Sequence, residues 1–447
     1  MADSSAIALP SMPLRLPVLG HILSYTREPL AFLERASRLG PFARIDLAGL
    51  RGILVNEPEV VEAICVTHNR QFRKDRFARD LQRVLGTGLL TSDGDFWRRQ
   101  RRLAQPSFHR DRIAGYAKTM VDLTRAHVDR WRDGEVRDVH ADMMRLTLDI
   151  VGRTLFGADI GARAGEIGEC LEVVTARYAD AVVMGVPHWD RLPTPGNRRF
   201  TAAVKRLDAI VRELLRSHRA GETGDGTDLL SMLIAARDED GSGMSDDQLR
   251  DETITLILAG HETTAIALGF TWMLLSRHHD ARAKLEAELA DVLGDRDPTH
   301  ADVPRLVYAD RVVRESMRLY PPAWSIGREA DEEVELGGRR FPRGSWFWLV
   351  PWTMHRDARW FTDPTRFDPD RWEGDLAKRL PRFAYFPFGG GQRQCIGNAF
   401  ATMEIVLCLT TIARSWRLDM AEREEVELLP TVTLRPKHGL KMRVTRR

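Results

Sequence analysis

Phe388-Gly389-Gly390-Gly391-Gln392-Arg393-Gln394-Cys395-Ile396-Gly397 stands near the end of the 447-residue sequence. Three consecutive glycines let a backbone fold tightly and come close to a flat ligand, where side chains would collide. The Gly-free apolar run from Ala399 to Ile412 predicts a helix, so Cys395 lies just before its first turn. There the free N–H groups and the positive end of the helix dipole favour an anionic sulfur and lower its pKa. Phe388 can shield the sulfur from water, and Arg393 sets a fixed positive charge two residues before it. An isolated cysteine often serves as a small buried hydrophobe. That describes Cys408, inside the same helix, but leaves the glycines, the arginine and the helix start around Cys395 without a reason.

Working outward, the text before this segment holds short strand-like runs, Val334–Leu336 and Ser345–Val350, and after it come Glu425–Leu429 and Leu440–Val444. From about residue 57 to 326 the pattern is mainly helical, broken at Gly86–Gly94, Val186–Asn197 and Gly221–Thr227. A helix over 30–39 and two strands, Phe42–Leu47 and Gly52–Asn56, precede it. The longest helical stretch opens on Ser245-Asp-Asp-Gln248, a capping box. Nothing interrupts it until about Ser276, a length of ~45 Å at 1.5 Å per residue. Its centre is apolar enough to resemble a membrane span, but His261 and Glu262 sit in the middle. An acid there costs ~2.5–3.5 kcal/mol on insertion, which favours a buried core helix. These features predict a mainly α protein with a smaller β-rich lobe, built as one domain over residues 1–447.

Composition excludes several classes. A net charge of +2 argues against nucleic-acid binding. The four cysteines, Cys65, Cys170, Cys395 and Cys408, form no CxxC pair, against a zinc module and a disulfide framework. Asp3 and the early prolines rule against a signal peptide, and no N-terminal apolar segment reaches the ~20 residues of a membrane anchor. The expectation is a cytoplasmic, monomeric protein.

Three further segments bear on chemistry. Ala259-Gly260-His261-Glu262-Thr263-Thr264 lies at the centre of the long helix, where glycine costs ~1 kcal/mol relative to alanine and needs a reason. Close approach of a ligand is one such reason. Thr263 can hydrogen-bond back to the preceding turn and bend the helix. Glu315-Ser-Met-Arg318 places opposite charges at i and i+3 on one helix face. Trp97-Arg-Arg-Gln-Arg101 does the same with an aromatic ring and a guanidinium at i and i+4. The neighbouring Arg98, Arg99 and Arg102 read either as a solvated basic face or as a docking patch for an acidic partner.

The glycine-cysteine segment resembles the haem-binding signature of the cytochrome P450 family, F-x-x-G-x-R-x-C-x-G, at Phe388, Gly391, Arg393, Cys395 and Gly397. The other three segments resemble family motifs in the same order. The resemblance implies haem b with Cys395 as the axial ligand of its iron. It implies that Phe388, Gly391, Gly397, Ala259 and Gly260 frame the haem, and that Trp97, Arg101, Arg393 and Arg328 bind its propionates. It makes Thr263 and Glu262 an acid–alcohol pair, the hydroxyl steadying dioxygen and the acid connecting to solvent protons. Arg371, in Phe367-Asp-Pro-Asp-Arg371-Trp, becomes the third member of a structural triad with Glu315 and Arg318. Substrate walls are expected in the 71–92 and 178–200 loops, at Ala259, and at Ala323–Trp324.

The implied activity is insertion of one oxygen atom of O2 into a lipophilic small molecule such as a fatty acid, terpenoid or polyketide. No G-x-G-x-x-G unit or flavin domain is seen, so the electrons are expected from a separate ferredoxin and reductase. Three rivals remain: a haem-thiolate isomerase, a peroxygenase and a non-enzymatic haem sensor. The first two are disfavoured by Glu262-Thr263, and the sensor would have no need of a proton-delivering threonine.

Overall fold

The structure is a computed structural model that describes residues 9–13, 15–157, 161–184, 193–224, 226, 228–422 and 424–447. The expected break at 186–197 therefore falls largely outside the described residues. So do the extreme N-terminus and most side chains of the expected 178–200 substrate wall.

The 32-residue helix Asp246–Arg277 runs through the middle of the helical lobe. Both halves of its capping box form: Gln248 N–H donates to Ser245 Oγ (3.2 Å) and Ser245 N–H donates to Gln248 Oε1 (2.8 Å). By length and composition it could cross a membrane, but 83% of its most apolar window is buried inside the protein. It is a core helix. It packs against Val139–Leu155, Pro195–Arg219, Val307–Leu319 and the C-terminal helix Asn398–Ser415 in one continuous apolar core. A Cβ at Gly260 would lie 3.0 Å from Val151 Cγ2. The mid-helix glycine thus answers to helix–helix packing as well as to whatever fills the space on its other side.

The β-rich lobe is a five-stranded sheet in the order Phe42–Leu47, Leu50–Val55, Trp346–Leu349, Ile326–Ala330, Phe72–Lys74. Its one parallel pair, Gly52 to Val55 against Trp346 to Leu349, joins segments that lie far apart in sequence. Three small sheets complete it: Val334–Leu336 with Arg339–Phe341, Leu428–Pro430 with Leu434–Pro436, and Val136–Asp138, Lys441–Arg446 and Trp416–Met420 in one ladder. Strands Phe72–Lys74 and Val136–Asp138 lie within the stretch expected to be helical. Each is only three residues long and is held by a remote partner, so no local alternation marks it. The second strand begins at Leu50, two residues earlier than expected, because the chain reverses tightly through Ala48 and Gly49, both at positive φ.

The Glu315–Arg318–Arg371 triad is buried and complete. Arg318 donates through Nε and Nη2 to both oxygens of Glu315 at 2.8 Å, and Arg371 Nε reaches Glu315 Oε1 at 2.8 Å. Trp372 Nε1 and the Asp368 N–H add donors to the same carboxylate, while Arg318 also satisfies the carbonyls of His355, Pro364 and Arg366. Glu315 and Arg318 side chains are wholly shielded from solvent. The triad clamps the 355–372 segment onto helix Val307–Leu319.

Candidate active site

Between the helical lobe and the sheet lies a cavity of about 920 Å3. Cys395 stands on one side of it, and Ala259, Gly260, Glu262 and Thr263 of the long helix stand on another. Cys395 sits three residues before helix Asn398–Ser415, held by its own N–H donating to the Phe388 carbonyl at 3.0 Å. Its side chain is accessible from the cavity. Burial pushes its thiol pKa up, and the Gly397 N–H and the Arg101 charge oppose this without overturning it. The helix start therefore does not by itself make the thiol acidic, contrary to the expectation from position. Desolvation outweighs it.

The three glycines have separate reasons. Gly389 and Gly391 adopt φ of +65° and +66°. A Cβ on Gly390 would strike the Phe383 ring at 2.4 Å, and one on Gly391 would meet the Cys65 carbonyl oxygen at 2.0 Å. Phe388, Arg393 and Gly397 line the cavity; Gly391 is not among its lining residues and instead seats the loop against Cys65.

Trp97, Arg101, Arg328 and Arg393 also line the cavity. The Arg393 guanidinium lies 3.9 Å from the centroid of the Trp97 ring, donates to the Ser92 carbonyl at 2.8 Å and pairs with the Asp93 carboxylate. Arg101 donates to the Gln394 carbonyl at 2.9 Å, which ties helix Gly94–Ala104 to the cysteine loop. Lys74, which sequence reasoning did not single out, joins them: it pairs in register with Arg328 and lines the cavity. Burial, reinforced by Arg328 and Arg393, pushes Lys74 down to about 7. Burial pushes Arg393 to about 10, with Arg328 adding to the shift and Asp93 opposing it. Cations that depress one another's pKa in this way form a site with positive charge to spare, suited to carboxylates. An accessible thiol, a cavity of this size and a cationic rim fit a haem with its two propionates.

On the helix side, Thr263 Oγ1 donates to the Ala259 carbonyl at 2.7 Å. Glu262 is buried; it accepts from Thr433 Oγ1 at 2.7 Å and lies 3.9 Å from Arg435. Burial raises its pKa against those two partners. Thr433 and Arg435 come from the hairpin Leu428–Pro430/Leu434–Pro436, whose turn also lines the cavity, and nothing in its own sequence announces a role. His261 is buried, bonded to the Ile257 carbonyl (3.2 Å) and pushed down to about 4 by burial. It is a neutral core residue.

Ala323 and Trp324 line the cavity, with the indole N–H donating to the Thr431 carbonyl at 2.9 Å. From the 71–92 stretch, Leu89 and Leu90 contribute. That stretch is pinned to the long helix by two carboxylates: Asp251 accepts from the Thr87 N–H (2.7 Å) and Glu252 from the Leu89 N–H (3.0 Å). Arg98, Arg99 and Arg102 are engaged within the chain, by Asp95 in the first case and by Asp238 in the other two. Arg99 and Arg102 tie helix Gly94–Ala104 to the loop before the long helix, a structural use that neither reading of the basic face anticipated.

The family model for Cytochrome P450 matches residues 10–443. The chain belongs to the cytochrome P450 family. It is 40% identical to "Cyclooctatin synthase" of Streptomyces melanosporofaciens over 94% of this chain and 92% of that one. It is 37% identical to "Cyclooctat-9-en-7-ol 5-monooxygenase" of the same organism, over 91% and 88% of the two chains. Among solved structures it is similar to the cytochrome P450DA haem domain, with a TM-score of 0.88, 29% identity and 98% coverage of both chains. The protein is therefore a cytochrome P450 monooxygenase, an oxidoreductase with a haem-thiolate cofactor.

Proposed function

We propose that this P450 hydroxylates or epoxidises a terpenoid, as a single-domain, monomeric, cytoplasmic enzyme holding haem b and receiving electrons from a separate ferredoxin and its reductase. The observation that carries this reading is the one cavity that joins the Cys395 thiol to the Thr263 hydroxyl between mainly apolar walls. A similar P450 whose name specifies an alkenol substrate favours the terpenoid among the lipophilic classes.

When bound, the haem supplies dioxygen activation and transfer of one oxygen atom to carbon. The chain's own residues do the rest. Cys395 sulfur would hold the iron as thiolate, with metal coordination offsetting the burial that raises its free pKa. Arg101, Arg328, Arg393 and Lys74 would neutralise the propionates, with the Trp97 ring against Arg393. Thr263, whose hydroxyl lines the cavity while donating to the Ala259 carbonyl, would hold a proton beside the haem. Glu262, whose burial favours the protonated form, would hold a second proton there, hydrogen-bonded to Thr433 with the Arg435 charge nearby. Leu89, Leu90, Ala323 and Trp324 exclude water and orient the apolar skeleton by shape.

The test is a screen of oxidised and unoxidised terpenoids for spin-state shifts in the holoenzyme. Each hit is then turned over with surrogate ferredoxin, reductase and NADPH. The expected product carries one added oxygen. A product formed without electrons, or formed only with added peroxide, would replace this reading with an isomerase or a peroxygenase. Tight haem binding with no turnover of any class would leave a sensor.

A further inference from the structure

The sheet side of the cavity is walled by aromatic rings. Trp346 and Trp348 stand two residues apart on strand Trp346–Leu349, so both side chains leave the same face of the sheet. Phe347 and Leu349 leave the opposite face and join a separate apolar cluster. The two indoles stack, with centroids 5.3 Å apart and planes at 28°. Trp324 lies 6.2 Å and Tyr25 5.7 Å from the Trp348 ring, and Phe77 lies 5.3 Å from Trp346. All five rings line the cavity. A stiff wall of this kind holds a carbon skeleton by shape, while orientation is fixed by a few polar groups set into it.

Each indole carries one such group, an N–H that usually finds a partner when the ring is buried. The Trp324 N–H donates to the Thr431 carbonyl at 2.9 Å, and the Trp346 N–H to Asp75 Oδ2 at 3.2 Å. Trp348 is only 6% exposed, yet its N–H has no partner among the described residues. Nor is that N–H sealed in the interior, as those of Trp131, Trp272 and Trp360 are. Trp348 lines the cavity and is otherwise covered by neighbouring rings, so its open donor looks into the cavity. A purely hydrocarbon ligand would bury that donor unpaired, at a cost in binding; an acceptor atom on the ligand removes the cost.

We propose that Trp348 is a specificity-determining residue whose indole N–H receives an oxygen already present on the substrate. That oxygen is a hydroxyl or carbonyl on the apolar skeleton, held at the sheet side while a different carbon is presented between Cys395 and Thr263. The assignment deepens the functional reading above and rests on it for the terpenoid skeleton. It also places the enzyme after a reaction that has installed a hydroxyl or carbonyl on the same molecule.

The experiment uses N-alkylimidazoles, which ligate the haem iron of the holoprotein and extend their chains through the cavity. Probes of graded chain length end in methyl, hydroxyl or methyl ketone, and affinity is read from the shift of the Soret band. At a matching length, wild type should bind the hydroxyl-ended probe on the order of tenfold more tightly than the methyl-ended one. The ketone, which only accepts, should keep that gain. Trp348→Phe should lose the gain while still binding the methyl-ended probe and keeping its reduced carbon-monoxide spectrum. Trp346→Phe, which removes an N–H already held by Asp75, should retain it. No gain at any length, a gain confined to the hydroxyl, or a gain that survives in Trp348→Phe would overturn the proposal. A hydroxyl gain in a protein that oxidises no terpenoid would remove the terpenoid reading and leave the Trp348 donor site. Terpenoid oxidation without the gain would remove the donor site alone.

Discussion

Thr263 parks its hydroxyl on the Ala259 carbonyl, one turn back along a helix that continues unbroken to Arg277. The back-bond anticipated from the sequence is present, within a helix that is otherwise uninterrupted, and the threonine lines the cavity. Thr263→Ala should therefore retain haem and fold while diverting electrons into peroxide. The ratio of hydrogen peroxide to product per NADPH checks this, and unchanged coupling would reduce Thr263 to a packing residue. Glu252, one of the two carboxylates that pin the 86–92 segment, has its pKa pushed up to about 8 by burial, with Asp251 adding to the shift and the Leu89 N–H opposing it. An acid whose folded pKa exceeds its unfolded value binds its proton more tightly when folded. It favours the fold at low pH, and that contribution is lost as pH rises from about 4.5 toward about 8. Relative to wild type, Glu252→Gln should show a thermal midpoint whose advantage widens over that window and levels off above it; a constant offset would contradict the burial argument. Cys395 and Thr263 stand out as candidates in the sequence because their immediate neighbours in the chain mark them. Lys74, Glu252 and Thr433 do not, because each acquires its role from a partner that only the fold brings near.

At the scale of elements, the capping box and the apolar centre made the long helix readable from sequence, and its ends fall within a residue of expectation. The glycine loop was readable as a motif but not in its reasons. Gly390 answers to Phe383 and Gly391 to Cys65, contacts that cross more than three hundred residues in the second case. The charged triad is the element on which the sheet side depends. Glu315→Ala strands Arg318, which has no access to solvent, and removes the acceptor of Arg371, Trp372 and Asp368. The expected cost is ~3–5 kcal/mol, read as a fall in the urea midpoint with little change in slope. A loss below ~1 kcal/mol would place the triad among ordinary surface pairs.

Across the whole molecule, a mainly α chain with a small β-rich lobe followed from helical periodicity and the change of pattern near residue 332. The register of the main sheet did not, because its parallel pair joins the first hairpin to Trp346 to Leu349 and no local signal encodes such a pairing. The same long-range closure sets the Cys395 loop on one side of the cavity and Thr263 on another, with the cationic rim nearby. All of the functional reading depends on which atom binds iron there. The most direct test is the absorption spectrum of the reduced, carbon-monoxide-bound holoprotein, recorded for wild type and for Cys395→His. Thiolate ligation predicts the far red-shifted Soret band in the wild type and a histidine-type band in any Cys395→His protein that retains haem. A histidine-type band in correctly folded wild type, or a red-shifted band that survives in the variant, would contradict the assignment of Cys395.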